Sequence, residues 1–295
     1  MTTLLALDAG TTGVTAVLFD RDLQPIGRAY AEFEQHFPSP GLVEHRAEDI
    51  LQAVDRVLAE VLKSHSGPVD AVGITNQRET VFALDRRTGQ ALGRGIVWQD
   101  RRTAERCRGL EAQGHGARVR ELTGLLLDPY FSATKMQWML EQRPEVAACA
   151  EAGALAFVTV DGLVAAHLGA GVDGETFTDR TNASRTLLYD IEGLEWSEEL
   201  CALFGVDASW LPRVLPSAGD CGMLRLPGGR SAPWTGVAGD QQAALFGQGC
   251  FEPGDSKITY GTGCFLVMNA GGKRPAGGLG LLTTCLLYTS PSPRD

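Results

Sequence analysis

Two short turns rich in glycine and threonine, each set between β-prone runs at opposite ends of the chain, constrain this sequence more than any other feature. Residues 4–7 and 14–19 flank Asp8-Ala9-Gly10-Thr11-Thr12-Gly13, and a second hairpin-like element over 257–268 carries Gly261-Thr262-Gly263 at its turn. Tight turns of this composition aim several backbone N–H groups and Thr hydroxyls at one point, and glycine lacks the Cβ that would hold an anion away. A plain hairpin would use the same residues. Two such turns, the first with an acid beside it, predict a clamp for nucleotide phosphates. Asp8 either closes its own turn or offers carboxylate oxygen to Mg²⁺.

Between the turns the pattern alternates. A third strand is expected near 26–33. Ile50, Val54, Val57 and Val61, with Leu51, Leu58 and Leu62 beside them, repeat at helical spacing over 47–63 and make one buried stripe. Strands resume at 71–75 and 80–84, around Asn76-Gln77-Arg78-Glu79. Four polar side chains at a connection between buried strands favour function over packing. Arg78 and Glu79 are adjacent, so they point apart in an extended chain, as an ordinary surface pair would, unless a turn brings them together.

The stretch 100–170 reads as helix-rich, with a strand at 157–160 and a helix at 163–168. Residues 211–233, rich in Pro, Gly and Ser, lead into 237–245, where Asp240 opens an apolar helix. Asp240 is either a simple helix cap or a general base, a role that contributes about 10²–10⁴-fold. Trp98 and Tyr130 are either core aromatics or the walls of a pocket.

Composition narrows the classes. A chain of 295 residues suits about two domains. Its formal charge of −10 disfavours general binding to nucleic acid. Seven scattered cysteines without a CxxC pair fit free thiols in a reducing cytoplasm. No basic leader precedes the first apolar run, and no run approaches the roughly 20 apolar residues of a membrane span. Gly169 to Gly174 matches GxGxxG, but it follows a helix and lacks the strand–turn–helix context of a dinucleotide site. Neither GxxxxGK[ST] nor GxSxG occurs, and the histidines have no metal-ligand spacing.

The blocks LDAGTTG (7–13), PGLVEH (40–45), GITNQRET (73–80), IVWQDRRTAE (96–105), TGLLLDPYFSATK (123–135), TDRTNASRTLLYDI (178–191), GVAGDQQAALFGQ (236–248) and TYGTGCFLVMN (259–269) resemble the FGGY carbohydrate kinase family, in the family's order. Within it they resemble the glycerol-phosphorylating branch. The resemblance implies an α/β, ribonuclease H-like fold of the actin and hexokinase ATPase type, with the N-terminal domain complete and the second domain only begun. It implies a polyol-binding domain over 1–250, the start of a nucleotide-binding domain over 251–284, and a tail over 285–295 that is not native and resembles a translated sequencing adapter.

The activity implied is ATP-dependent phosphorylation of glycerol to sn-glycerol 3-phosphate, by a cytoplasmic protein of which this chain is a fragment inactive alone. Arg78, Glu79, Tyr130, Asp240 and Gln241 would bind glycerol hydroxyls, Trp98 and Phe265 would pack on its carbons, and Asp240 would be the base. Gly10, Thr11, Thr12 and the backbone of Gly261, Thr262 and Gly263 would hold ATP or ADP, and Asp8 would hold Mg²⁺. Thr15 stands where the family usually has Arg or Lys, which removes one positive contact to phosphate. Another polyol or ketose kinase and a non-catalytic polyol-binding remnant are the alternatives, and homo-oligomerisation of the longer protein is left open.

Overall fold

The structure, a computed structural model, describes residues 2–171, 174–260, 263–272, 274–275 and 280–286. The run that opens the chain alternates as a half-buried strand must. In Leu4–Ala9 the side chains of Leu5, Leu7 and Ala9 face inward. This strand pairs antiparallel with Gly13–Phe19, which pairs antiparallel with Pro25–Glu32. On its other side it runs parallel to Ala71–Asn76, which runs parallel to Arg230–Gly239, and Met223–Leu226 closes that edge antiparallel.

The helical stripe forms Ala47–Val61 and lays Ile50, Val54, Val57, Leu58 and Val61 on the inward face of this six-stranded sheet. Each such side chain contributes about 1.5–3 kcal/mol by leaving water. Helix Val160–His167 joins the same core through Leu163 and Val164. A smaller sheet centred on Val81–Asp85, paired with Leu155–Thr159, carries a second core that the helices Ala133–Gln142 and Pro144–Glu151 cover.

Two expectations shift. Residues 155–165 are apolar almost throughout, so periodicity cannot set the strand-to-helix boundary. The strand ends at Thr159 and the helix starts at Val160. The Pro, Gly and Ser stretch is not a mere connection: it supplies Met223–Leu226 and the start of Arg230–Gly239. Pro233 is tolerated there because the register breaks between Trp234 and Gly236, while Trp234 is fully buried.

The parallel register decides where the chemistry goes. Ala9 and Gly239 both stand opposite Asn76, so three adjacent strands finish at one level. In such sheets ligands bind outside the carboxyl ends of the strands. The short helix Arg180–Ala183 ties two of these ends together. Asn182 and Asn76 exchange amide hydrogen bonds of 2.9 and 3.1 Å, and the Thr181 hydroxyl accepts the Gly239 N–H at 2.7 Å. Asp179 holds the helix by accepting the N–H groups of Thr181 and Asn182, both at 3.0 Å. Asn182→Leu, which leaves the buried Asn76 Oδ1 without its donor, is expected to cost about 1–3 kcal/mol in urea unfolding.

Candidate active site

Each of the three aligned strand ends runs into a segment singled out in the sequence. After Ala9 the chain turns at Gly10, whose N–H donates to Gly13 O at 3.0 Å. After Asn76 comes Gln77, whose amide donates to Gly10 O at 2.9 Å and ties the second segment to the first. After Gly239 begins helix Asp240–Gly247.

Arg78 is where these segments meet. It is 5% exposed and Glu79 is 1% exposed, so the pair does not lie on the surface. The turn brings them together, with Arg78 Nη2 3.6 Å from Glu79 Oε1. Arg78 Nη1 donates to Gln242 Oε1 at 3.2 Å and Nη2 donates to the Tyr130 hydroxyl at 3.3 Å. Its Nε lies 3.3 Å from Asp240 Oδ1, yet the N–H is not aligned on that oxygen and has no hydrogen-bond acceptor. Glu79 has a second cation, accepting from Arg185 Nε at 2.7 Å.

These contacts set the ionisation of the cluster. Burial opposes the charge on Arg78, but Glu79, Tyr130 and Asp240 outweigh it and the guanidinium stays protonated. Burial likewise opposes the Glu79 carboxylate, which Arg78 and Arg185 hold below its ordinary range. Asp240 moves the other way: burial raises it, with Glu79 adding to the effect and Arg78 only partly opposing. Gln241 orients this carboxylate, its N–H donating to Oδ1 at 2.7 Å and its amide to Oδ2 at 3.2 Å.

Aromatic rings close the other side. Trp98 lies with its ring 5.5 Å from Tyr130 and 6.0 Å from Phe265, and its Nε1 donates to Thr11 Oγ1 at 3.0 Å. Phe265 comes from the hairpin of Ser256–Tyr260 and Cys264–Met268. The cavity between them, open on one side, measures ≈ 130 Å³, and Arg78, Glu79, Trp98, Tyr130, Asp240, Gln241 and Phe265 all line it, with Thr11 and Gly263. Drug-sized pockets run to about 300–1,000 Å³, so this one suits a ligand of a few heavy atoms. A larger hollow of ≈ 320 Å³ lies by Gly169 and Arg225. Its carboxylates, Asp85 and Glu175, are paired with Arg87 and Arg213, and none of the groups around Arg78 reaches it.

The remaining expected residues are distributed differently. Gly10 and Thr12 belong to the first turn without lining the cavity, and Gly261 and Thr262 lie outside the described residues. Asp8 is exposed near the end of the first strand, opposite Thr15 in the strand register, and does not line the cavity. The surrounding protein and then the Asp240 charge push its carboxyl up to about 6. A carboxyl group raised by burial and by a second carboxylate belongs to the kind of donor set that a hard divalent cation relieves. Arg185, Gln242 and Lys257 were not foreseen. Lys257 donates to the Gln241 amide oxygen, and all three sit in stretches where only spatial proximity to Glu79, Arg78 or Gln241 marks them. Cys285, at the start of the expected tail, is buried against Tyr189, and its N–H donates to Ser184 Oγ at 3.3 Å.

Residues 3–247 match the N-terminal domain of the FGGY family of carbohydrate kinases. The chain is 50% identical over 288 residues to a glycerol kinase of Myxococcus xanthus, covering 95% of this chain and 57% of that protein. To a glycerol kinase of Halorhodospira halophila it is 49% identical over 286 residues, covering 95% of this chain and 56% of that protein. The crystal structure of Plasmodium falciparum glycerol kinase with ADP superposes with a TM-score of 0.91 at 34% identity, over 96% of this chain and 57% of that one. This chain therefore spans little more than half the length of these relatives.

The paired cations on Glu79 make a direct prediction. Arg185→Met leaves a buried carboxylate with one partner removed and is expected to destabilise the chain by about 3–5 kcal/mol in urea unfolding. A loss below 1 kcal/mol would mean that Arg78 alone suffices.

Proposed function

The chain belongs to the FGGY family of carbohydrate kinases, and from that premise we propose that the protein it represents phosphorylates glycerol with ATP, yielding sn-glycerol 3-phosphate. The observation that carries the proposal is the ≈ 130 Å³ cavity in which the seven residues expected to hold a polyol converge. A triol offers three hydroxyls and a short carbon edge. Selecting it takes several buried donors and acceptors that a wrong ligand would leave unpaired. Arg78 supplies donors, one of them the buried Nε–H without an acceptor, and Glu79 and Asp240 supply acceptors. Trp98 and Phe265 present apolar surface to the carbons.

In this reading Asp240 takes the proton from the attacking hydroxyl. Its raised pKa strengthens it as a base, and the two Gln241 hydrogen bonds fix the direction in which its carboxylate accepts. Gly10, Thr11, Thr12 and the 261–263 turn would hold the phosphates of ATP, with Thr11 already fixed against Trp98. Asp8 would hold Mg²⁺, which supplies neutralisation of charge on the transferring phosphoryl group. Residues 1–250 would form the polyol-binding domain, and 251–284 would begin the nucleotide-binding one. A cytoplasmic location accords with seven free cysteines and with the lack, among the described residues, of a helix long and apolar enough to cross a membrane.

Two measurements test the proposal. Calorimetry should show glycerol binding to this chain, since the seven expected residues already line one cavity, and no detectable binding at millimolar glycerol would overturn it. In a longer form carrying the nucleotide-binding half, Asp240→Asn is expected to lower kcat by about 10²–10⁴-fold while glycerol still binds. An unchanged kcat would remove Asp240 from the role of base.

A further inference from the structure

We propose that Lys135 is a positioning residue for the polyol cavity, its amine holding the Tyr130 carbonyl and, through it, the ring that walls the cavity. The inference rests on the reading that the cavity takes glycerol.

Lys135 is the third residue of helix Ala133–Gln142, at the end where the helix dipole disfavours a cation. It is also 0% exposed, where an ammonium is costly and a Met of similar length would fill the space without a charge. Two local preferences are broken at one position, which is the mark of a functional constraint. What Lys135 does there is donate from Nζ to Tyr130 O at 2.8 Å. The residue before the helix behaves in the same way. Ser132 does not cap, and its Oγ donates to Glu79 O at 2.9 Å. The first turn of this helix thus holds the backbone of two cavity residues.

Tyr130 is gripped from the other side as well. Asp128 Oδ1 accepts its N–H at 2.8 Å, so the backbone is fixed both before and after the ring that meets Arg78 and Trp98.

The charges facing Lys135 are Glu79, Asp100 and Asp128, with the Cys107 thiol nearby. Each carboxylate already has an arginine: Arg78 and Arg185 for Glu79, Arg102 for Asp100, Arg101 for Asp128. Burial dominates, and the amine is lowered to about 7. Below that pH the bond to Tyr130 O is charge-assisted, and above it the bond is neutral and weaker. Grip on the ring, and with it glycerol affinity, therefore falls as pH rises through neutrality. Stability follows the opposite sign. A lysine whose folded pKa lies below its unfolded one costs stability in the protonated state, and that stability returns as pH rises from about 7 towards the unfolded value.

The test is glycerol calorimetry on the full chain beside urea unfolding. Lys135→Met is expected to bind glycerol about 10-fold more weakly at neutral pH, with an unfolding midpoint equal to or above that of the wild type. Wild-type affinity should fall about threefold between about pH 6.5 and about pH 8.5, and the variant should be flat. Should Lys135→Met fail to fold, Lys135→Gln decides, since it keeps a neutral donor: weakened binding with a flat pH profile supports the proposal, and a wild-type pH slope overturns it. Unchanged glycerol affinity in Lys135→Met, or parallel loss of midpoint and affinity, would also overturn it. Wild-type chain that binds no glycerol would withdraw the functional reading itself and this inference with it.

Discussion

A guanidinium buried to 5% exposure cannot stand without partners, and the cleft is organised around meeting that demand for Arg78. Its neighbours come from three separate stretches of chain: Glu79 beside it, Tyr130 before the helix Ala133–Gln142, and Asp240 and Gln242 on the helix that follows the last parallel strand. Glu79 is in turn oversupplied with cations, having Arg185 as well. The unequal sharing has a chemical result. Glu79 is held as a carboxylate, while Asp240, with only part of one arginine, is left the more basic of the two acids. Two carboxyl groups in one cavity are thereby pushed in opposite directions by their surroundings.

The sheet makes this arrangement repeatable from molecule to molecule. Strand ends aligned by register, and stitched by the Asn76–Asn182 amide pair and the Thr181–Gly239 bond, leave little freedom in where Arg78 and Asp240 emerge. Site residues on loops gain precision when rigid elements deliver them. The aromatic wall is less tightly delivered, because Phe265 arrives on a two-stranded hairpin that is not part of the six-stranded sheet.

Much of this was legible in the sequence. The alternation of Leu5, Leu7 and Ala9 and the stripe of Ile50, Val54, Val57 and Val61 locate the core, because burial imposes those periods directly. The polar run after Asn76 marks the site because polar side chains between buried strands have no packing task. Other features escape because no local pattern encodes them. Pro233 argues against a strand and Trp234 fits several environments, so Arg230–Gly239 is apparent only once its neighbour supplies the register. Arg185 and Lys257 are single charged residues whose meaning lies in a partner 106 positions away in one case and 16 in the other. The resemblance to a kinase family brought Gln241 and Phe265 into view, which spacing alone would not have done.

The cavity draws its walls from Thr11 at one extreme of the chain and Phe265 near the other, with the central strands holding in register the segments that carry Thr11, Arg78 and Asp240. Such a pocket cannot be lifted onto another scaffold as a peptide or a single loop. A designer who wanted this cavity would have to carry over the sheet, because its lining is a property of how three strands terminate together rather than of any contiguous sequence.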